Sequence, residues 1–152
     1  MTPIDLRGMT AGFTCSAFDL LHAGHVAMLR ECKQHCNFLI VGLHVDPTVD
    51  RPSKNKPVQS VYERYMQLKG CQYVDAIIPY ETEEDLINIM AIEPIDIRFV
   101  GVEYKDTYIT GQDICEKRGI NIMYNERYHM YSSTELRSRL TRVLVISFLM
   151  KL

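Results

Sequence analysis

Short apolar segments alternate with amphipathic ones along the chain, and this alternation constrains the fold more than any other feature. Residues 38–45 are β-rich and almost wholly apolar, as in a strand covered on both faces. The predicted strands are residues 9–15, 38–45, 73–79, 97–102 and 120–124, and the predicted helices are residues 23–36, 60–69, 81–92, 111–118 and a last one from Ser132 or Ser133 to Arg142. Strict alternation predicts an α/β fold, a Rossmann-like three-layer sandwich with a five-stranded parallel sheet.

The predicted topology also indicates where a ligand site should lie. In open parallel sheets, ligands bind beyond the carboxyl ends of the strands, at the point where the strand order reverses. The segments to inspect therefore follow Cys15, Val45, Val102 and Tyr124. Residues 46–59 hold three prolines and three cationic side chains, and we interpret them as a loop at this edge.

The chain length fits a single domain over residues 1–152, with a C-terminal apolar tail at about 143–152. The apolar run is far shorter than the ~20 residues of a membrane-spanning helix. We expect it to pack on the body or on a partner subunit, with a membrane-surface anchor as the alternative. The first residues lack the basic and apolar regions of a secretory signal, so no such signal is expected.

Charge and cysteine content limit the partners, the compartment and the metal sites that the sequence predicts. Seventeen Lys and Arg against nineteen Asp and Glu give a net charge of −2, so nucleic acid is not an expected partner. The five cysteines are odd in number and form no Cys-x-x-Cys pair, which favours a reducing, cytoplasmic compartment. Cys32 and Cys36, four residues apart with His35 beside them, could begin a metal site. Buried free thiols are the favoured interpretation, and no metal ligands are predicted.

Two histidines three residues apart, His22 and His25, stand where the first helix is predicted to begin. Residues at i and i+3 share a helix face, here beside free backbone N–H groups at the positive end of the helix dipole. Imidazoles in this place can donate hydrogen bonds to phosphate and neutralise charge on a transferring group. Gly24 removes a side chain where phosphate could approach the backbone. The alternative is that both histidines only cap the helix or are solvated.

The residues around these histidines resemble the signature of a known family. Phe18, Asp19, His22, Gly24 and His25 match the Gly-x-Phe-Asp-x-x-His-x-Gly-His signature of the cytidylyltransferase-like superfamily. Residues 73–79 resemble its Tyr-Val-Asp-x-Val-Ile segment, and residues 131–134 resemble its late Ile-Ser-Thr/Ser-Thr motif. The resemblance runs over roughly residues 10–139.

The chain resembles two members of the superfamily in particular. Glycerol-3-phosphate cytidylyltransferase is a single-domain enzyme of similar length. The heptose-1-phosphate adenylyltransferase domain has a Phe-Asp-x-Leu-His-Ala-Gly-His-Val run that resembles residues 18–26, and its Lys-Gly-Gly-Asp-Tyr segment is similar to residues 100–105. The chain departs from the family at Ser16, Gln72, Tyr128 and Met130, and at residues 101–103. These departures concern the base and the acceptor more than the reaction type.

The resemblance implies a nucleotidyltransferase reaction. A phosphate monoester attacks the α-phosphorus of a nucleoside triphosphate and pyrophosphate leaves, with Mg²⁺ arriving on the triphosphate. His22 and His25 are then expected to donate to phosphate oxygens as catalytic residues. Lys54 and Lys56, in the loop after the second strand, are expected to close on the phosphates, with Arg51 as a third candidate.

The resemblance assigns further residues to the same cleft. Arg127 is expected to bind phosphate as a catalytic residue, its alternative being a surface ion pair. Arg64 is expected to form an ion pair. Two carboxylates are expected to bind substrate. Asp19 either meets the acceptor or orients its loop, and Asp46 follows the second strand and faces the same cleft; forming a turn or a cap is the alternative for each. The expected nucleotide-binding residues are Ala17, Phe18, Gly24, Gly101, Glu103, Ser132, Ser133 and Thr134.

These expectations lead to ranked functional hypotheses. The first is transfer of CMP from CTP to a phosphorylated polyol such as glycerol 3-phosphate. Its close alternative is transfer of AMP from ATP to a sugar phosphate such as heptose 1-phosphate. A non-catalytic nucleotide-binding module is an alternative of another class, and a flavodoxin-like redox protein has the order of elements alone in its favour. The resemblance also implies a homodimer around the Tyr-Val-Asp segment.

Overall fold

The structure, a computed structural model, describes residues 5–126 and 129–152. Strands and helices alternate throughout this part of the chain. The elements are β1 Ala11–Ser16, α1 Ala23–Gln34, β2 Phe38–His44, α2 Val61–Lys69, β3 Ala76–Tyr80, α3 Glu83–Ile92, β4 Ile97–Gly101, α4 Gln112–Arg118, β5 Asn121–Asn125 and α5 Ser133–Leu149, with a one-turn 3₁₀ helix, Val102–Tyr104, after β4.

The strands form one parallel sheet in the order β3-β2-β1-β4-β5. Ala11 is in register with Phe38 of β2, and Gly12 is in register with Ile97 of β4. The chain builds outward from β1 to β3 and then returns to the other side of β1 with β4. The strand order therefore reverses between β1 and β4, where a crevice opens at the carboxyl ends.

Apolar side chains cover both faces of the sheet, which explains why β2 is apolar throughout. Ile40 lies in a buried cluster with Leu86 and Met90 of α3. Its neighbours Leu39 and Val41 lie on the opposite face, in a cluster with Leu29 of α1. Since successive strand residues point to opposite faces, this arrangement confirms the three-layer α/β sandwich.

Side-chain caps set the helix starts. Ser60 and Glu63 form the predicted capping box of α2, with the Ser60 Oγ accepting from the Glu63 N–H at 3.2 Å. The start predicted for the third helix, residue 81, is wrong by two positions. Thr82 is the N-cap of α3 and Asp85 completes a second capping box, so the helix begins at Glu83.

The cysteines are all free, and Cys32, Cys36 and Cys115 are buried. Burial raises the pKa of the Cys32 thiol to about 12, so this side chain is an unreactive core group. Among the residues that the structure describes, no group of three or more His, Cys, Asp or Glu side chains could hold a metal ion.

Helix α5 continues to Leu149, beyond the predicted end at Arg142. No glycine or proline interrupts residues 143–149, so the sequence offers no stop signal there. Leu144 is 69% exposed and Phe148 66%, so this run does not pack on the body. Its packing on a partner subunit stays a prediction. Within residues 5–126 and 129–152, no helix is long and apolar enough to cross a membrane.

Candidate active site

The carboxyl ends of β1 and β4 open into a cavity of about 1170 Å³. His22, His25 and Ser133 line it from the starts of α1 and α5, and Glu103 lines it from the turn after β4. The cavity lies where the strand order reverses, at the position that the sequence predicts for a ligand site.

The loop between β1 and α1 carries backbone strain beside this cavity. Phe18 and Leu20 adopt positive φ angles of 50° and 52°, which non-glycine residues rarely do. Such strain persists when the surroundings over-determine the conformation, and it concentrates at functional sites. Here the Leu20 N–H donates to the Gln59 Oε1 at 2.7 Å, and the Phe18 ring is buried.

Asp19 connects this loop to two distant parts of the chain. Its carboxylate accepts from the N–H groups of Val58 and Gln59 at 2.9 and 3.0 Å, and it pairs with the Arg137 guanidinium of α5 at 2.5 Å. Burial by itself would raise the pKa of Asp19, but these hydrogen bonds and the cation outweigh it and lower the pKa below its usual value. The carboxylate therefore orients the loop, while its predicted contact with the acceptor stays a prediction.

His22 and His25 cap helix α1 reciprocally. His22 is the N-cap, and its Nδ1 accepts from the Gly24 N–H at 3.0 Å. His25 is the third helical residue, and its Nδ1 accepts from the His22 N–H at 3.3 Å. The pair is thus a capping box built from imidazoles. The capping interpretation is correct. Capping uses the Nδ1 atom of each ring, and both rings also line the cavity.

The caps fix the tautomer of a neutral His22 ring. Because its Nδ1 accepts a hydrogen bond, the proton sits on Nε2, which lies 3.2 Å from the Ser133 Oγ. The Ser133 hydroxyl donates in turn to the backbone oxygen of Asp19 at 3.2 Å. His25 stacks on His22 with ring centroids 3.9 Å apart, and Phe18 lies against His25 at 5.3 Å. The two imidazoles are therefore held as one rigid pair.

Gly24 has a different role from the one predicted. Its N–H is occupied by His22, so the prediction of free N–H groups at this turn is wrong for Gly24. A Cβ at Gly24 would lie 2.9 Å from His22 Cε1, His129 Cε1 and the Tyr131 oxygen. Gly24 lets these groups close over the first turn of α1.

The predicted loop residues separate into two groups. Lys54 lines the cavity, and Lys56 lies outside its lining. Asp46 also lies outside and binds Thr48 in a turn, through its N–H at 3.0 Å and its hydroxyl at 2.6 Å. These bonds lower the pKa of Asp46. Arg51 lines the cavity and pairs with Glu83 at 3.1 Å.

Most of the predicted nucleotide-binding residues meet in the cavity. Those in its lining are Ala17, Phe18, Gly24, Gly101, Glu103, Ser132 and Ser133. Thr134 is in the first turn of α5 but outside the lining. Ser132 caps α5 by accepting from the Glu135 N–H at 3.1 Å. Arg127 falls outside the described residues.

Sequence reasoning missed several residues of the site. Arg137 and His129 line the cavity, although no local pattern marks them, and Tyr131, the first residue of the late motif, lines it too although no role is predicted for it. Arg64 is buried and donates to four carbonyl oxygens, among them Ala17 at 2.8 Å and His44 at 2.7 Å. The expected ion pair is thus replaced by carbonyl contacts that join the ends of β1 and β2.

Comparisons with known proteins agree with this geometry. The profile of the cytidylyltransferase-like family matches residues 13–139, which include both histidines and Ser133. The chain belongs to the cytidylyltransferase-like family. This is a family of nucleotidyltransferases, so the enzyme class expected from the signature is confirmed.

Curated relatives share the family and are much longer. The chain is 35% identical over 114 residues to the bifunctional protein HldE of Mesorhizobium japonicum, covering 74% of this chain and 23% of the relative. It is 33% identical over 135 residues to HldE of Caulobacter vibrioides, covering 88% and 28%. The chain therefore spans about a quarter of the length of these relatives.

Solved structures support the fold. A lipopolysaccharide core biosynthesis protein from Thermoplasma volcanium aligns with a TM-score of 0.62 at 24% identity, over 82% of this chain and all of that one. A pantothenate synthetase from Thermus thermophilus aligns with a TM-score of 0.57 at 13% identity, over 86% and 64%. At these levels of sequence identity, the similarities support the fold alone.

Proposed function

We propose that this chain transfers AMP from ATP to a sugar phosphate of the heptose 1-phosphate type. The relatives named HldE cover up to 88% of the chain at 30–35% identity, and they favour this hypothesis over the expected CTP and glycerol 3-phosphate reaction. The resemblance of residues 18–26 to the heptose-1-phosphate adenylyltransferase domain supports the same choice.

The observation that carries the proposal is the imidazole pair in the cavity at the strand-order reversal. In the proposed reaction an acceptor phosphate oxygen bonds to the α-phosphorus, the bond from that phosphorus to the bridging oxygen breaks, and pyrophosphate leaves. The acceptor is already a nucleophile, so positioning and charge stabilisation supply the catalysis. In this scheme His22 and His25 donate to the phosphate oxygens, and His22 exchanges its contact with the Ser133 Oγ for a phosphate oxygen.

Other residues of the cavity have supporting roles in the proposal. Lys54 approaches the phosphates from the loop after β2, and Ser132 and Ser133 present the start of α5. Glu103 contacts hydroxyl groups of the ribose or the acceptor. Arg127 remains a predicted phosphate ligand.

We also propose that Mg²⁺ enters with the triphosphate. The carboxylate of Asp19 is engaged with two N–H groups and Arg137, and Glu103 is the other predicted carboxylate in the cavity lining. Mg²⁺ usually keeps several waters and binds through substrate phosphates, so it does not require a protein cage. When bound, it would neutralise charge on the phosphate chain.

A pyrophosphate-release assay tests the proposal. The protein is incubated with Mg²⁺, each of ATP, CTP, GTP and UTP, and a panel of acceptors that includes heptose 1-phosphate and glycerol 3-phosphate. We expect turnover with ATP and the sugar 1-phosphate, and a loss of about 10²–10³ in rate for His22→Asn. A matched His35→Asn variant, changed at the exposed far end of α1, should keep full activity.

The same assay separates the alternatives. Turnover with CTP and glycerol 3-phosphate alone would overturn the choice of substrates while keeping the enzyme class. Tight nucleotide binding without turnover on any acceptor would favour the non-catalytic module. The homodimer around residues 73–75 is a further proposal, which sedimentation equilibrium tests directly.

A further inference from the structure

A further imidazole lines the cavity beside the signature pair. His129 follows β5 and is half-buried. Its Cε1 atom lies 2.9 Å from the position that a Cβ would take on Gly24, and the His22 Cε1 lies at the same distance from that point. The rings of His22 and His129 therefore flank the same spot above the first turn of α1.

Two contacts hold the His129 ring in place. The Tyr131 N–H donates to its Nδ1 at 3.2 Å, and the Tyr131 ring stacks on it at 5.2 Å with an interplanar angle of 24°. Because Nδ1 accepts, the neutral ring carries its proton on Nε2, and the charged ring also has a proton there. Nε2 is consequently a hydrogen-bond donor at any pH.

We propose that His129 donates from Nε2 to the phosphate chain of the bound nucleoside triphosphate. The inference rests on the proposed function, which places a triphosphate in this cavity. The start of α1 is the positive end of a helix dipole, and a polyanion there gains from each added donor. His129 thus enlarges the phosphate site beyond the two signature histidines.

The competing interpretation is structural. His129 also secures the Tyr131 N–H and covers Gly24, and these contacts need Nδ1 and the ring but not Nε2. Two substitutions separate the roles. His129→Asn keeps an acceptor near the Nδ1 position and removes the distal donor, whereas His129→Gln places an amide N–H near the Nε2 position and removes the proximal acceptor.

The experiment is calorimetric titration of both variants with ATP and with inorganic tripolyphosphate. A hydrogen bond to a charged group typically changes affinity by tenfold or more. We expect His129→Asn to weaken both ligands by about tenfold and His129→Gln to stay within about threefold of the wild type. His35→Asn is the matched control, because His35 lies exposed at the opposite end of α1. Thermal unfolding of each variant verifies that the titrated protein is folded.

The outcomes distinguish this inference from the proposed function. Wild-type affinity in His129→Asn, or equal weakening by both substitutions, would overturn the donor role of His129. Donor-dependent binding without pyrophosphate release on any acceptor would support His129 while overturning the proposed function. A wild-type protein that binds neither ATP nor tripolyphosphate would overturn both.

Discussion

At the scale of single residues, each imidazole of the signature pair caps helix α1 and lines the cavity. Spacing predicts that His22 and His25 share a face at a helix start, and the structure adds that they cap one another. The hydrogen bond from His22 to Ser133 joins residues 111 positions apart. Neither this bond nor the role of Arg137 could be predicted from the sequence, because both depend on where α5 docks.

Replacing His22 with asparagine should separate capping from chemistry. Asparagine is a good N-cap, but it cannot make the hydrogen bond from His22 Nε2 to Ser133. We therefore expect the free energy of unfolding to fall by only about 0.5–1.5 kcal/mol. Activity should nevertheless fall about 10²–10³-fold, because the Nε2 donor is gone. Chemical denaturation and steady-state kinetics on the same preparation measure both quantities. Parallel losses of stability and activity would contradict the division.

Replacing Asp19 with asparagine should destabilise the protein in a pH-dependent way. Removing one partner of a buried ion pair typically costs about 3–5 kcal/mol, and we expect about 2–3 kcal/mol here because the Arg137 side chain is 29% exposed. The pKa of Asp19 is lower in the folded protein than the ~3.9 of an unfolded chain. Its contribution is therefore complete above that value and is lost as the pH falls through the folded pKa.

Urea denaturation of wild type and Asp19→Asn at pH 7 and at pH 3 measures this effect. The difference in unfolding free energy between the two proteins should shrink at the lower pH. A difference that is constant across the range would show that the loss arises from packing and not from the charge.

At the scale of elements, local sequence patterns predicted the positions of the helices and strands well and their ends less well. The capping box at Ser60 fixed the start of α2 from sequence alone. The predicted strand at residue 73 begins only at Ala76, because the Asp75 carboxylate accepts from the Leu39 N–H at 2.7 Å and pairs with Lys33. That boundary depends on a contact with β2 and is invisible in the local pattern.

Gly24→Ala tests the packing of the first turn of α1. Alanine favours helix by about 1 kcal/mol over glycine. The added methyl would meet two imidazoles and a backbone oxygen at 2.9 Å, and such overpacking costs about 1–3 kcal/mol. We expect a net loss of stability and a lower rate, measured by melting temperature and pyrophosphate release.

Gly70→Ala is the matched control for this substitution. Gly70 ends α2 with a φ of −78°, and a Cβ there would come no closer than 3.5 Å to its neighbours. We expect it to be neutral or slightly stabilising. An equal effect at both glycines would rule out crowding at Gly24 as the cause.

At the scale of the whole molecule, the alternation of elements predicted the parallel three-layer architecture and the edge that carries the site. The full strand order and the path of α5 could not be predicted from the sequence, since both depend on long-range packing. The apolar end of α5 is the clearest case, because the sequence predicts packing on the body or on a partner subunit and the side chains stand exposed on this chain. Large exposed apolar patches typically drive association.

The double variant Leu144→Ser with Phe148→Ser tests this exposed surface. Both side chains are about two-thirds exposed, so the melting temperature should change little. Binding of an apolar dye should fall, and the apparent mass in size-exclusion chromatography should become less dependent on concentration. An unchanged concentration dependence would show that association, if present, uses another face.

The ties that Asp19 and Ser133 make across the chain also bear on biosynthesis. The strained loop at Phe18 and Leu20 leaves the ribosome before Arg137 and Ser133, which hold Asp19 and follow it by more than a hundred residues. During translation the signature histidines are therefore synthesised before the residues of α5 that complete the cavity around them. The enzyme should gain its nucleotide affinity in one step, when the start of α5 becomes free to dock.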